Sequence, residues 1–303
     1  MTALAHPGEA AATPSLRLRL AARGFDATTL LLLPGLVAIL GLFIYPFAYG
    51  LVDSLTPKDG GAWYANYQRF FADPFQRDTI AATLWLALPV TVLNLALAVP
   101  IAMRVRLMRR QRLLTTILVL PITLGTVLVA EGLLNFLGPR GWFNQTLVFL
   151  HLIDRPLRLT NNYWGVFASL LITGFPFSFL LTLSYVTGID PAIEQAGATL
   201  GANARKRFLH VFLPLLVPGL AVTFCLSFVQ AFAVFPSAVL LGAPAGPTRV
   251  MSIAAYSAAF EAYDHSFGSA IAILMALVQL LVVVAVLALR RLFYRGPTGG
   301  TKG

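Results

Sequence analysis

Apolar residues in this 303-residue chain run in long blocks free of charged side chains. The charge-free intervals lie between Asp26 and Asp53, Asp78 and Arg104, Arg112 and Glu131, Arg158 and Asp190, Arg207 and Arg249, and Asp264 and Arg290. Each holds the roughly 20 apolar residues that carry a helix across a bilayer core, where helices satisfy their own backbone hydrogen bonds. Six membrane-spanning helices are therefore predicted, near 29–51, 79–103, 113–136, 163–186, 211–235 and 267–289, and the fold class is an all-α membrane protein. The interval after Arg207 is long enough for a second crossing, but Pro236, Gly242, Pro244, Gly246 and Pro247 interrupt it. Residues 236–266 are accordingly read as an outer loop or a re-entrant segment.

Composition agrees. The chain is 58% hydrophobic and 11% charged, with a mean hydropathy of +0.78, whereas soluble domains carry roughly 25% charged residues. Its net charge of +10 is unevenly placed. With the N-terminus inside, one set of connections holds Arg17, Arg19 and Arg23, the arginines from Arg104 to Arg112, Arg205 to Arg207, and Arg290, Arg291, Arg295 and Lys302. The other set balances Lys58, Arg69, Arg77, Arg140, Arg155, Arg158 and Arg249 against as many acids. Positive residues mark the cytoplasmic side, so both termini and the 190–214 loop are expected there. The charge thus reports topology, with anionic membrane lipid as a further partner, and does not point to nucleic acid.

The domain plan is a cytoplasmic tail over 1–28, a membrane domain over 29–292 containing a loop at 188–210, and a second cytoplasmic tail over 293–303. The run from Ala27 to Tyr49 is too long for a cleaved signal. The single cysteine, Cys225, falls within the fifth span and forms no disulfide within the chain. The four histidines, His6, His151, His210 and His265, are scattered, so no metal site is expected. No phosphate-binding G-x-x-x-x-G-K-[ST] occurs, and the chain is not expected to be an enzyme or to bind a cofactor.

The loop between the fourth and fifth spans carries the sharpest local pattern. Asp190 with Pro191 is an N-cap and first-turn pair, and Glu194 sits near the positive end of the helix dipole. Gly201 suits a left-handed turn, after which Asn203 begins a second short helix with Arg205, Lys206 and Arg207. Glu194, Gln195, Ala196, Gly197 and Gly201, followed by Val211 and Leu213-Pro214, resemble the EAA loop of ABC importer permeases in register. Gln195 stands where that pattern has an acid, and Gly197 where it has a second alanine.

The resemblance implies a type I (MetI-like) permease fold with cytoplasmic coupling helices. It also implies that Glu194, Gln195, Ala196, Gly197, Gly201, Arg205, Leu213 and Pro214 form or support a knob on the ATP-hydrolysing subunit. Gly141-Trp142-Phe143-Asn144, Leu152 to Arg158, and Asp264 with Phe267 to Ala270 are similar to the spermidine/putrescine type of permease. The implied partners are a cytoplasmic ABC ATPase dimer that uses ATP and Mg, a second permease subunit, and an extracytoplasmic substrate-binding protein. A bacterial inner membrane is the implied location. Polyamine is the favoured cargo, with ferric iron, phosphonate, sulfate and thiamine as alternatives in the same class.

Ionisable and amide residues inside spans are the candidates for a pathway. Glu131 is the one carboxyl within an apolar block, near the outer part of the third span. It either lines the pathway or is hydrated and paired with Arg140, and Asn135 and Gln230 join it as candidates. Asn94, Ser178, Ser227 and Gln279 are further polar span residues that cross-link helices or line a path. Pro46, Pro89, Pro100, Pro121 and Pro176 are either hinges or packing kinks. A secondary transporter would need coupling-ion acids at the midplane, and a membrane scaffold would not need polar residues across several spans.

Overall fold

A computed structural model describes residues 27–293, and the tail assignments at 1–26 and 294–303 lie outside the described residues. Six helices are long and apolar enough to cross a membrane, and among the described residues there is no strand. Helix α1 (Ala27–Ser54) contains Pro34 and Pro46 and belongs, up to Val52, to a unit of its own.

The second unit begins at Asp53. It comprises α2 (Ala65–Ala72), α3 (Pro74–Val105), α4 (Gln111–Leu137), α5 (Trp142–Phe149), α6 (Tyr163–Thr187), α7 (Pro191–Thr199) and α8 (Ala204–Arg207). A π-helical turn at Phe208–Phe212 leads into α9 (Leu213–Phe232). Two short helices follow, α10 (Pro236–Leu241) and α11 (Met251–Tyr256), then a second π-turn at Ser257–Glu261 and α12 (His265–Phe293).

Asx caps set many of the starts. Asp73, with Pro74 in the first turn, accepts from the Phe75 N–H at 2.9 Å, Asn162 from Gly165 at 3.0 Å, Asp190 from Ala192 at 2.8 Å and Asn203 from Lys206 at 2.9 Å. Each side chain satisfies an N–H that the first helical turn leaves without a partner.

Helices α3 and α6 form the central pair, against which α4 and α9 pack, and α12 packs on α9 and α11. The core runs in three patches. Phe70, Phe228, Phe232, Met251 and Ile271 fill the one nearest α2, Val90, Val166, Leu170, Ala238 and Leu241 the middle, and Ala102, Phe179, Val186, Phe212 and Leu216 the one nearest α7 and α8. Small residues allow close approach, as at Gly219, where an added Cβ would lie 2.4–2.8 Å from ring atoms of Tyr185.

Segment 236–266 folds back against the spans. Helix α10 packs on α4 and α6, and α11 on α3 and α12. Ser237 bonds Ser169 at 2.9 Å, and the Met251 N–H donates to the Thr83 hydroxyl at 2.9 Å. Its proline and glycine breaks end the crossing, as the sequence indicates, while its buried ends bring it back into the core.

Helices continue through Pro89, Pro100 and Pro176. Helix α4 is interrupted, but at Gly125, four residues beyond Pro121. Gly125 has φ 74° and ψ 160°, a conformation open only to glycine. Pro121 cannot donate to the ladder, and glycine supplies the conformation that the break needs.

The end of the bundle at α2 and the start of α12 is braced by long-range polar contacts. Arg69 meets Asp264 at 2.7 Å and lies over the Phe267 ring at 4.2 Å. Asp264 also accepts from the Phe267 N–H and Ser266 hydroxyl, each at 3.1 Å, which caps the start of α12. Asn66 donates to the Ser54 carbonyl at 3.0 Å, and Ser269 to Asp53 at 2.8 Å.

Candidate functional site

Helices α7 and α8 form a knob between α6 and the π-turn that opens α9. Gly201 has φ 79° and turns the chain between them, with the Ala202 N–H bonded to the Gly197 carbonyl at 3.1 Å. Arg207 ties the knob together from within. Its stem faces Gly197, and its Nη1 donates to the Ala202 carbonyl at 3.4 Å. Gln195, Ala196 and Arg205 are exposed, and Leu200 at the tip is 87% exposed. The Glu194 side chain lies outside the described residues. Leu213 and Pro214 open α9 and sit behind the knob, outside its exposed surface. An exposed leucine beside an amide and cationic side chains is the composition of a docking surface, apolar at its centre and polar at its rim.

A different set of residues meets in the interior. Asn94, Thr126, Thr173, Ser227, Gln230 and Ser237 line a cavity of about 120 Å³ between α3, α4, α6, α9 and α10, with Phe235 on its wall. The cavity adjoins the break in α4, because Thr126 follows Gly125. Asn94 is 2% exposed, and its Oδ1 has no hydrogen-bond partner. Gly174 makes room for it, since a Cβ there would lie 2.7 Å from the Asn94 amide nitrogen. Two serine pairs, Ser178 with Ser227 at 2.8 Å and Ser169 with Ser237 at 2.9 Å, join the helices behind the cavity.

Of the three pathway candidates read from the sequence, the cavity gathers Gln230 alone. Glu131 and Asn135 lie on an exposed face of α4 with Leu124, Val127 and Leu128. Asn135 Nδ2 donates to the Glu131 carbonyl at 3.0 Å and approaches its carboxylate at 3.4 Å. The carboxylate is thus engaged one turn along its own helix, and among the described residues it forms no ion pair with Arg140. Asn94 was legible as a polar span residue, but nothing local marked it as the centre of a cavity.

A second polar region lies at the end of the bundle formed by α2 and the start of α12. Arg69, Gln76, Arg249, Glu261 and Asp264 border an open cavity of about 370 Å³. Arg249 lies 4.6 Å over the Phe75 ring, and burial lowers its pKa while Glu261 and Asp73 pull the other way. Burial pushes the Asp264 carboxyl up, but the Phe267 N–H, Arg69 and Ser266 outweigh it and hold the carboxyl below its usual range. Among the described residues no group of three metal-ligating side chains occurs.

Comparison with known proteins agrees with this architecture. The permease PotB of the spermidine/putrescine transport system of Haemophilus influenzae is 29% identical over 243 residues, covering 77% of this chain and 84% of that protein. Escherichia coli K12 PotB is 28% identical over 179 residues, 58% of this chain and 65% of its own length. A probable sulfate transport system permease of Prototheca wickerhamii is 28% identical over 164 residues, 54% of this chain and 62% of that one. A bacterial ABC transporter involved in import of the acidic polysaccharide alginate shares the fold, with a TM-score of 0.76 at 23% identity, over 91% of this chain and 98% of that chain. The profile of the binding-protein-dependent transport system inner membrane components matches residues 95–297, and with its six spans this chain belongs to that family.

Proposed function

We propose that this chain is the pathway-forming subunit of an ATP-driven importer, a multi-pass inner-membrane protein that docks a separate ATPase through the α7–α8 knob. The observation that carries the reading is the knob itself. It presents Gln195, Ala196 and Leu200 to solvent and leads through one π-turn into a span that lines the interior cavity. Docking energy is thereby delivered to the helix that borders the path. ATP and Mg act on the partner, a second permease closes the other side of the path, and an extracytoplasmic binding protein delivers cargo. Both termini are cytoplasmic in this reading.

Polyamine is the favoured cargo, supported by relatives that are spermidine/putrescine permeases. The sulfate permease relative favours an oxyanion as the second reading. Glu131 contributes to the path only if the second permease covers the exposed face of α4, since a carboxylate is costly against lipid.

The test is co-purification. The chain alone should show no ATP hydrolysis, and it should retain its ATPase partner when the two are expressed together. Gly201→Val should leave membrane insertion intact and lose the partner, because a β-branched residue is strained at φ 79°. Normal retention and normal uptake by that variant would overturn the docking assignment.

A further inference from the structure

We propose that the groove between α3 and the π-turn at Phe208–Phe212 is a binding site for an anionic phospholipid, with an acyl chain laid along α3 and the phosphate at Arg104. The groove is an open cavity of about 630 Å³ lined by Ala96, Val99, Pro100, Met103, Arg104 and Phe208. Arg104 is its one charged residue, and the rest of the lining is apolar. From Ala96 to Arg104 the apolar stretch runs eight residues, about 12 Å along a helix. Arg104 lies in the last turn of α3, a helix long and apolar enough to cross a membrane. The apolar stretch is therefore at membrane depth, and the guanidinium reaches the headgroup level as arginines near helix ends do. An apolar slot with a cation at its shallow end matches an amphiphile lying along the helix with its head at the membrane surface.

Charge selects the headgroup. Between Asp78 and Glu131 the sequence has no acid, while Arg104, Arg106, Arg109, Arg110 and Arg112 crowd the end of α3 and its connection to α4. Arg106 is committed within the protein, donating to the Val186 carbonyl at 3.5 Å and lying 4.5 Å over the Phe212 ring. Arg104 is exposed, and among the described residues no carboxylate pairs with it. A phosphodiester supplies that counter-charge. A headgroup with no cation of its own fits best, because an ammonium would face the neighbouring arginines. The occupant also touches the knob's attachment. A second cavity, of about 120 Å³, shares Met103 and Phe208 with the groove and reaches Ala204 and Val211. The acyl chain thus rests against the turn that joins α8 to α9.

Photo-crosslinking tests the site. The full chain carrying Phe208→p-benzoylphenylalanine, purified with the subunits that accompany it, would be placed in nanodiscs of equal parts phosphatidylglycerol and phosphatidylcholine with identical acyl chains. After irradiation, mass spectrometry of the peptide holding position 208 counts the two adducts. Phosphatidylglycerol adducts should outnumber phosphatidylcholine adducts about fivefold, the factor equivalent to the roughly 1 kcal/mol that one arginine at a membrane surface supplies. Arg104→Gln should bring the ratio close to one, and Arg104→Lys should keep most of it. Arg109→Gln, which removes the same charge outside the groove, should leave the ratio unchanged. Arg104 and Arg109 are both exposed, so neither exchange disturbs the core. Equal adducts in the parent, or equal losses from Arg104→Gln and Arg109→Gln, would overturn the site and leave only a diffuse attraction of anionic lipid. Crosslinks to protein in place of lipid would assign the groove to a partner subunit, and the absence of any adduct would leave it without an occupant; either result overturns the proposal. None of these outcomes involves ATP, so the site stands or falls apart from the importer reading.

Discussion

Gly197 and Gly201 lie in the same knob, and replacing each by alanine should move its stability in opposite directions. Gly197 is inside α7, where an added Cβ would rest 3.5 Å from Cγ and Cδ of Arg207 and 4.0 Å from Cγ2 of Val211. Those are ordinary contacts, and alanine is favoured over glycine in a helix interior by about 1 kcal/mol. Gly201 has open space around it, so no clash arises there. Its φ of 79° nonetheless costs an L-residue about 1–2 kcal/mol. The two variants should therefore differ by about 2–3 kcal/mol in local opening free energy, which is about 30- to 140-fold in exchange rate. Hydrogen exchange of peptides spanning 190–210, read by mass spectrometry on the chain in nanodiscs, measures this directly. Gly197→Ala should exchange more slowly than the parent and Gly201→Ala faster. Faster exchange in Gly197→Ala, or no acceleration in Gly201→Ala, would refute the assigned turn geometry.

Other expectations concern packing, charge and topology. Gly219→Ala should lower the thermal midpoint by driving a methyl into the Tyr185 ring, at about 1–3 kcal/mol for overpacking, and adding Tyr185→Ala should recover part of the loss. Asp264→Asn should destabilise the protein at neutral pH. Because the folded carboxyl titrates below its ordinary value, its contribution is complete above the unfolded pKa of about 3.9 and fades as pH falls through the lower folded value. The midpoint gap between parent and variant should accordingly close in acid, and a gap that widens would reverse the sign of the argument. Cysteine reporters replacing Met108 and Ala204 should be labelled from the cytoplasm only, and those replacing Gly60, Leu150 and Ala262 from outside only, in a Cys225→Ser background. Outside labelling at Ala204 would sink the coupling assignment.

The spans were legible because each lies between charges, and a bilayer tolerates few charges within a helix. The knob was legible too, since Asp190-Pro191, Gly201 and Asn203 specify caps and a turn within a few residues. What escaped the sequence depends on distant partners. Arg69 and Asp264 are separated by 195 positions, and no local pattern pairs them. Glu131 gave the strongest single signal in the spans, but helical phase puts it on the exposed face of α4 while Asn94 and Gln230 converge on the cavity. A carboxyl is conspicuous in an apolar block, whereas an amide becomes significant only when its neighbours leave it without a partner. The break in α4 went unread for a similar reason, because Pro121 announces itself as a candidate hinge or kink while Gly125 supplies the conformation.

Helix α8, its π-turn and α9 form one rod, Ala204–Phe232, of 29 residues. At about 1.5 Å per residue it is about 43 Å long. Gly219 lies close to its middle, pressed against the ring of Tyr185 on α6, and that contact can serve as a fulcrum. A rod rocking there swings its two tips in opposite senses by similar amounts. An ångström-scale pull on the knob would then reach Gln230 with little attenuation and reversed direction, widening the niche at one end as the other is drawn in.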